Sequence, residues 1–191
     1  MNQCILSKTK RRIGLSGLLL LAACSTGKVA DPAALDTQAR DIAGQFISTL
    51  LPTLQNALAE GGLENAIEVC SVQAPKIAQD LATTTGWSIR RVSLKARNSE
   101  MAIPDSWEQE VLEEFENRER TDSPMTQSAI VEGEYRYMHA QITMPLCLNC
   151  HGTNLSPVVS AALKQHYPND LATGYSEGDV RGAISLRYSL E

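Results

Sequence analysis

The stretch MPLCLNCHG, Met144 to Gly152, sets the thiols of Cys147 and Cys150 and the imidazole of His151 side by side. A Cys-x-x-Cys serves four chemistries: zinc binding, iron–sulfur clusters, dithiol exchange and covalent attachment of c-type haem. Cysteine counting narrows them. Of the five cysteines in the chain, Cys4 belongs to a leader described below and Cys24 is read there as a lipidation site, so only Cys70 stands beside the motif pair. Three thiolates cannot complete a four-thiolate cluster. Zinc lacks a second Cys-x-x-Cys, with only His139, His166 and Cys70 scattered elsewhere. Dithiol exchange stays open, although nothing around Cys147 reads as the strand–motif–helix of a thioredoxin. A histidine directly after the second cysteine is what haem c requires. Thioethers from Cys147 and Cys150 fix the ring against the loop, and His151 can then be the proximal ligand of the iron.

The opposite face of such an iron needs a second ligand, and no methionine follows the motif. The candidates lie upstream: Met101, Met125, Met138, Met144, His139 and Cys70.

The compartment bears on these chemistries. Lys8, Lys10, Arg11 and Arg12 precede an apolar run from Ile13 to Leu21, which is far short of the roughly 20 residues of a membrane span. Residues 1–23 therefore read as a secretory leader. Its ending, Leu21-Ala22-Ala23-Cys24, resembles a bacterial lipobox, with Cys24 the lipidated first residue of the mature chain. The sequence thus predicts an exported protein held by lipid at the periplasmic face of a membrane, and Ser25 in place of Asp favours the outer membrane. Loss of the leader leaves 13 Lys and Arg against 22 Asp and Glu, a formal charge of −9. A chain this acidic is a poor partner for nucleic acid.

The elements that must position the motif can be read coarsely. Residues 24–35 read as a tether and 36–191 as one domain. Residues 36–59 carry Ile42, Phe46, Leu50, Leu54 and Leu58 at helical spacing, with a kink expected at Pro52 and an end at Gly61-Gly62. A second helix, roughly 63–83, presents Ile67, Cys70, Ala74, Ile77 and Leu81 on one stripe, so Cys70 faces the core. A free cysteine there is often no more than a small apolar packing group. Pro75, however, removes an amide and is expected to open the helix beside Cys70. Residues 87–97 alternate as a strand, with a bulge expected at Arg90-Arg91. Residues 104–119 read as an amphipathic helix whose carboxylates form a solvated face. Residues 133–144 alternate, with His139 on the polar side. Ser156-Pro157 caps a short helix to about His166. A terminal strand over 180–190 sets Arg181, Ser185 and Arg187 on one side. Helices followed by strands with an interposed helix imply an α+β fold with an antiparallel sheet.

Several of these segments carry a resemblance over nearly all of the mature chain. They are Ala66-Ile-Glu-Val-Cys70-Ser-Val-Gln-Ala-Pro75, Arg91-Val-Ser-Leu-Lys-Ala-Arg97-Asn98, Pro104-Asp-Ser-Trp-Glu108, Cys147-Leu-Asn-Cys-His-Gly152 and Gly174-Tyr-Ser-Glu-Gly-Asp-Val-Arg-Gly-Ala183. Together they resemble a bacterial family of c-type haem domains with a PAS-like fold, which occurs alone and as the extracytoplasmic sensory part of histidine kinases and chemoreceptors. The resemblance implies a PAS-like antiparallel sheet preceded by N-terminal helices and bearing one covalent haem. It also implies that Cys70, the cysteine before x-x-x-Ala-Pro, is the axial ligand opposite His151.

Two functions follow as expectations. A sensor would convert redox state or binding of a diatomic gas into a change at the Cys70 helix. An electron carrier would keep both ligands and pass electrons to a partner. The chain shows no kinase or signalling helix after the domain, so a sensor is expected to act through a separate redox or signalling protein. No substrate pocket or catalytic residue is legible, and an enzyme is not expected. Two haem propionates on an acidic domain call for cations, and Arg91, Arg97 and Arg181 are the candidates.

Overall fold

Asp31 opens the chain's first helix: its carboxylate accepts from the Ala33 amide at 3.1 Å. Pro32 takes the first helical position, where an amide would have no partner anyway. The computed structural model describes residues 31–118 and 123–191, so the leader and Cys24 lie outside the described residues. Helix α1 (Pro32–Thr85) therefore starts inside the segment read from sequence as tether. It breaks once, at Gly62, whose φ of 69° and ψ of −158° only glycine adopts readily. The two helices expected from sequence are thus present, joined end to end across that break. Pro52 and Pro75 both sit within backbone that keeps helical φ and ψ, so the break in α1 is at Gly62 and not at either proline. Gly86 ends α1 in the left-handed conformation, its amide returning to the Ala82 carbonyl.

The sheet has the order β1-β4-β3-β2 with every pair antiparallel. Its strands are β1 (Ser88–Val92), β2 (Thr126–Val131), β3 (Glu134–Ile142) and β4 (Val180–Ser189). The period of two along each strand sorts side chains onto two faces. On one, Ile89, Tyr135, Tyr137, Ile184 and Leu186 pack against Leu35, Ala39, Ile42, Ala43 and Phe46 of α1. On the other, Val92, Met138, Ala140 and Ala183 pack against Val111, Leu112 and Phe115 of helix α2 (Ser106–Asn117). Full burial of an aromatic such as Phe46 contributes about 1.5–3 kcal/mol. A third cluster joins helix α4 (Pro157–His166) to the second half of α1 through Val159, Leu163 and Ile67, with Cys150 at its edge. No helix among the described residues is long and apolar enough to cross a membrane.

Three local readings change. The bulge expected at Arg90-Arg91 is absent, since β1 pairs with β4 in unbroken register from Ser88 to Val92. The irregularity lies in β4 instead, where Ala140 pairs with Ala183 but Ile142 with Val180, so three steps on one strand face two on the other. Gly182 sits in that bulge at φ 145°, and a Cβ there would stand 2.5 Å from the Val92 carbonyl oxygen. Strand β2 carried no sequence signal, because Thr126, Gln127 and Ser128 on this edge strand break the apolar alternation. Its turn to β3, Glu132-Gly133, has positive φ at both residues. The acidic helix α2 is not wholly a solvated face either. Glu108 is fully buried and Asp105 caps the helix, while the other carboxylates of α2 do face solvent.

Candidate functional site

The motif folds as a single short coil of helix. A 3-10 turn over Pro145–Cys147 runs into helix α3 (Leu148–His151). Cys147 and Cys150 are one turn apart, so their thiols share a side. No disulfide joins the described cysteines; Cys70, Cys147 and Cys150 are free and half-buried. Burial pushes the Cys150 thiol up from its ordinary value, and the Arg97 charge opposes that shift.

The loop after α4 clasps this segment from behind. The amide of Gly174 donates to the Gly152 carbonyl at 3.0 Å, and that of Tyr175 to the His151 carbonyl at 3.0 Å. The His151 ring is fixed by the same loop, with Nδ1 2.8 Å from the Ala172 carbonyl oxygen. A carbonyl can only accept, so Nδ1 carries the proton and Nε2 keeps its lone pair. Burial first, then the charges of Arg97 and Arg181, push the His151 pKa down to about 2. The imidazole is therefore neutral, and its Nε2 is in the state a ligand atom needs, the arrangement common to metal-binding histidines.

A cavity of about 300 Å³ lies in front of this segment, a volume at the low end for ligand pockets. Cys147, Cys150 and His151 line one side, with Cys70 and Ala74 from the second half of α1. Leu50, Leu54 and Leu58, from the half of α1 before the Gly62 break, supply an apolar wall. Of the sequence candidates for a second ligand, Cys70 and Met101 line this cavity, whereas His139, Met125, Met138 and Met144 are not among its lining residues. Met125 and Met138 lie in the core on the α2 side of the sheet. His139 is half-buried, and burial and the Arg40 charge lower its pKa. No cluster of three or more His, Cys, Asp or Glu among the described residues is arranged to hold a bare metal ion.

All three arginines singled out from sequence line the cavity, but their surroundings differ. Arg97 is tied to the protein: Nε donates to Asp170 at 3.2 Å, and Nη2 donates to the carbonyls of Cys150 at 2.5 Å and Ala172 at 3.1 Å. Arg181 reaches the cavity because of the bulge. In unbroken alternation it would share a side with Ser185 and Arg187, both of which bond Glu108 on the α2 face. The extra residue at Gly182 turns it to the other face, where its Nε is buried without a hydrogen-bond partner. Burial and the charges of Arg181 and Arg97 lower the pKa of Arg91, offset in part by Cys70 and Tyr167. Arg91 and Arg181, with Lys95 nearby over the Tyr175 ring, thus line the cavity without an ion pair among the described residues.

Sequence reasoning did not find Asp170 and Ala172, which hold Arg97 and His151 from the loop. Ala172 acts through its main-chain oxygen, which no residue type signals. Asp170 follows a Pro-Asn pair that reads only as a turn.

No curated protein matches this chain. The structure is similar to the crystal structure of the cyanobacterial heme-protein Tll0287, at 27% identity and a TM-score of 0.62, covering 84% of this chain and 97% of that one. The shared architecture is the PAS-like α+β fold, with its antiparallel sheet preceded by N-terminal helical segments. The family model described as Tll0287-like matches residues 28–189, and the chain belongs to that family.

Proposed function

We propose that the protein binds haem c in this cavity, through thioethers from Cys147 and Cys150, with His151 Nε2 and the Cys70 sulfur as axial ligands. The observation that carries the reading is the tautomer of His151. Its Nδ1–H is committed to Ala172 at 2.8 Å, which leaves a neutral Nε2 donor one residue beyond a free thiol pair. The lining fits the group in other respects: apolar leucines suit a macrocycle, and Arg91 and Arg181 suit its two carboxylates. One contact must yield, because Arg97 Nη1 lies 3.4 Å from Nε2. Bound iron supplies a one-electron couple and, where one ligand leaves, a position for a diatomic gas.

The role we infer is sensing of redox state or of such a gas, without catalysis of a substrate. Cys70 would hold the iron through its sulfur, and thiolate donation would favour the oxidised state and weaken as a bond in the reduced one. Cys70 lies on the half of α1 that packs against α4, so movement there reaches a second helix. A specific feature favours the alternative of electron transfer: Met101 lines the cavity yet is 53% exposed, so the cavity wall reaches the surface there. The two roles separate on the reduced protein. A sensor takes up carbon monoxide or nitric oxide as the sulfur leaves, whereas a carrier resists both. Cys70→Ala should abolish the sulfur-ligated ferric spectrum and keep both thioethers; an unchanged spectrum would make Cys70 a packing residue and Met101 the leading ligand.

We place the protein at the periplasmic face of a bacterial membrane, the outer membrane favoured, anchored through lipid on Cys24 and exchanging signals or electrons with a separate protein. Nucleic acid is not among the proposed partners. Cys24→Ala should leave the haem intact and release the protein into the soluble fraction; continued sedimentation with membranes would discard the anchor.

A further inference from the structure

Arg97 makes contacts that a partner for a propionate would not need. Its side chain is 13% exposed and that of Asp170 10%, and the two form an ion pair at 3.1 Å. The Ala172 carbonyl oxygen receives two donors at once, His151 Nδ1 at 2.8 Å and Arg97 Nη2 at 3.1 Å. Asp170 closes the circuit by accepting the Ala172 amide at 2.8 Å and the Arg97 Nε at 3.2 Å. Arg97 also holds the Cys150 carbonyl at 2.5 Å, in the residue before the histidine.

We propose that Arg97 is a positioning residue that sets the donor strength of His151 through the shared Ala172 carbonyl, with Asp170 as its counter-charge. The inference rests on the reading of His151 as an iron ligand. A carbonyl that accepts from Nδ1–H raises the basicity of Nε2, because it draws the proton away from the ring. A guanidinium on the same oxygen withdraws part of that electron density, so the carbonyl pulls less on Nδ1–H and Nε2 donates less. Arg97 therefore weakens His151 as a donor and adds a positive charge beside the ligand, and both effects favour the reduced state. Asp170 acts in the opposite sense by neutralising Arg97. A brace that served folding alone would have no reason to share its acceptor with the ligand's own proton.

The test is the midpoint potential of the matured holoprotein, measured by spectroelectrochemistry for Arg97→Gln and Asp170→Asn. Arg97→Gln should lower the potential by about 59 mV or more, a tenfold shift of the one-electron equilibrium toward the oxidised form. Asp170→Asn, which leaves Arg97 uncompensated, should raise it. Opposite signs support the proposal, since general loosening of the site would move both variants the same way. Shifts of one sign, or shifts under about twofold in the equilibrium for both, would overturn it. Where Arg97→Gln fails to mature, Asp170→Asn decides alone: a rise supports the proposal, and a fall or no change overturns it. A wild-type protein without c-type haem defeats the underlying reading instead, and the haem stain shows this before any potential is measured.

Discussion

The two faces of the sheet treat neighbouring arginines in opposite ways. Arg90 and Arg91 are adjacent in β1, yet alternation sends one to each face. On the α2 face Arg90, Arg136 and Arg187 all meet Glu108, and Arg136 and Arg187 meet Asp105 as well, at 2.5 and 2.8 Å. Ser185 adds a hydrogen bond to Glu108 at 2.7 Å, and the Arg136 guanidinium lies 4.7 Å from the centre of the Trp107 ring. On the cavity face neither Arg91 nor Arg181 forms an ion pair among the described residues, and Arg181, like Arg136 on the other face, keeps a buried Nε without a partner. A buried charge without a partner is costly, whereas a closed network is compensated from within. The first face is built to hold the protein together. The second retains cations that only an added anion would match.

This contrast orders the expected effects of mutation. The largest belongs to Glu108→Ala, which removes the buried carboxylate shared by Arg90, Arg136 and Arg187, leaves Arg90 without its ion pair, and should cost about 3–5 kcal/mol in urea denaturation. A loss below about 1 kcal/mol would show that the closed network is dispensable. Next comes Gly182→Ala. The φ of 145° and the 2.5 Å approach to the Val92 carbonyl should cost about 1–3 kcal/mol and turn Arg181 away from the cavity. Thermal melting checks the first effect and the haem potential the second. An unshifted melting temperature would mean that the bulge tolerates a side chain.

Acid should act on the α2 face. Burial alone would push Glu108 up, but hydrogen bonds from Ser185, the Asp105 amide, Arg90 and Arg187 outweigh it and hold its pKa below 4.5. A carboxyl depressed in the fold contributes stability that is present above its unfolded pKa and lost as pH falls through the folded one. Stability should therefore decline as pH drops below 4.5, and Glu108→Gln should flatten that decline. Equal slopes for the two proteins would place the acid sensitivity elsewhere. The smallest loss is expected at the open face, where Arg91→Gln and Arg181→Gln should lower folding stability by less than about 1 kcal/mol, since no ion pair is broken. A large loss for either would mean that the open face is closed by contacts of its own.

What the sequence showed follows the same division. The helical stripe of α1, the terminal strand and the short helix opened by Ser156-Pro157 were legible because apolar periodicity and caps are local signals. The motif was legible because residue type and spacing carry its chemistry. Strand β2 was not, since a polar edge strand buries too little to show a period. The burial of Glu108 was hidden as well, because an acidic helix looks the same whether one carboxylate turns inward or none does. The reach of Arg181 into the cavity depends on one inserted residue at Gly182, which inverts the alternation without altering the composition. Ala172 holds His151 through its backbone, and its side chain says nothing of that.

The central claim is covalent haem on Cys147 and Cys150. It is tested most directly by the alkaline pyridine spectrum of protein matured in an exporting host that attaches haem c. The reduced spectrum should be that of a haem with both vinyl groups saturated, retained after acid–acetone extraction and lost in the double variant Cys147→Ala/Cys150→Ala. A spectrum of unmodified haem, haem released by extraction, or no haem at all would contradict it.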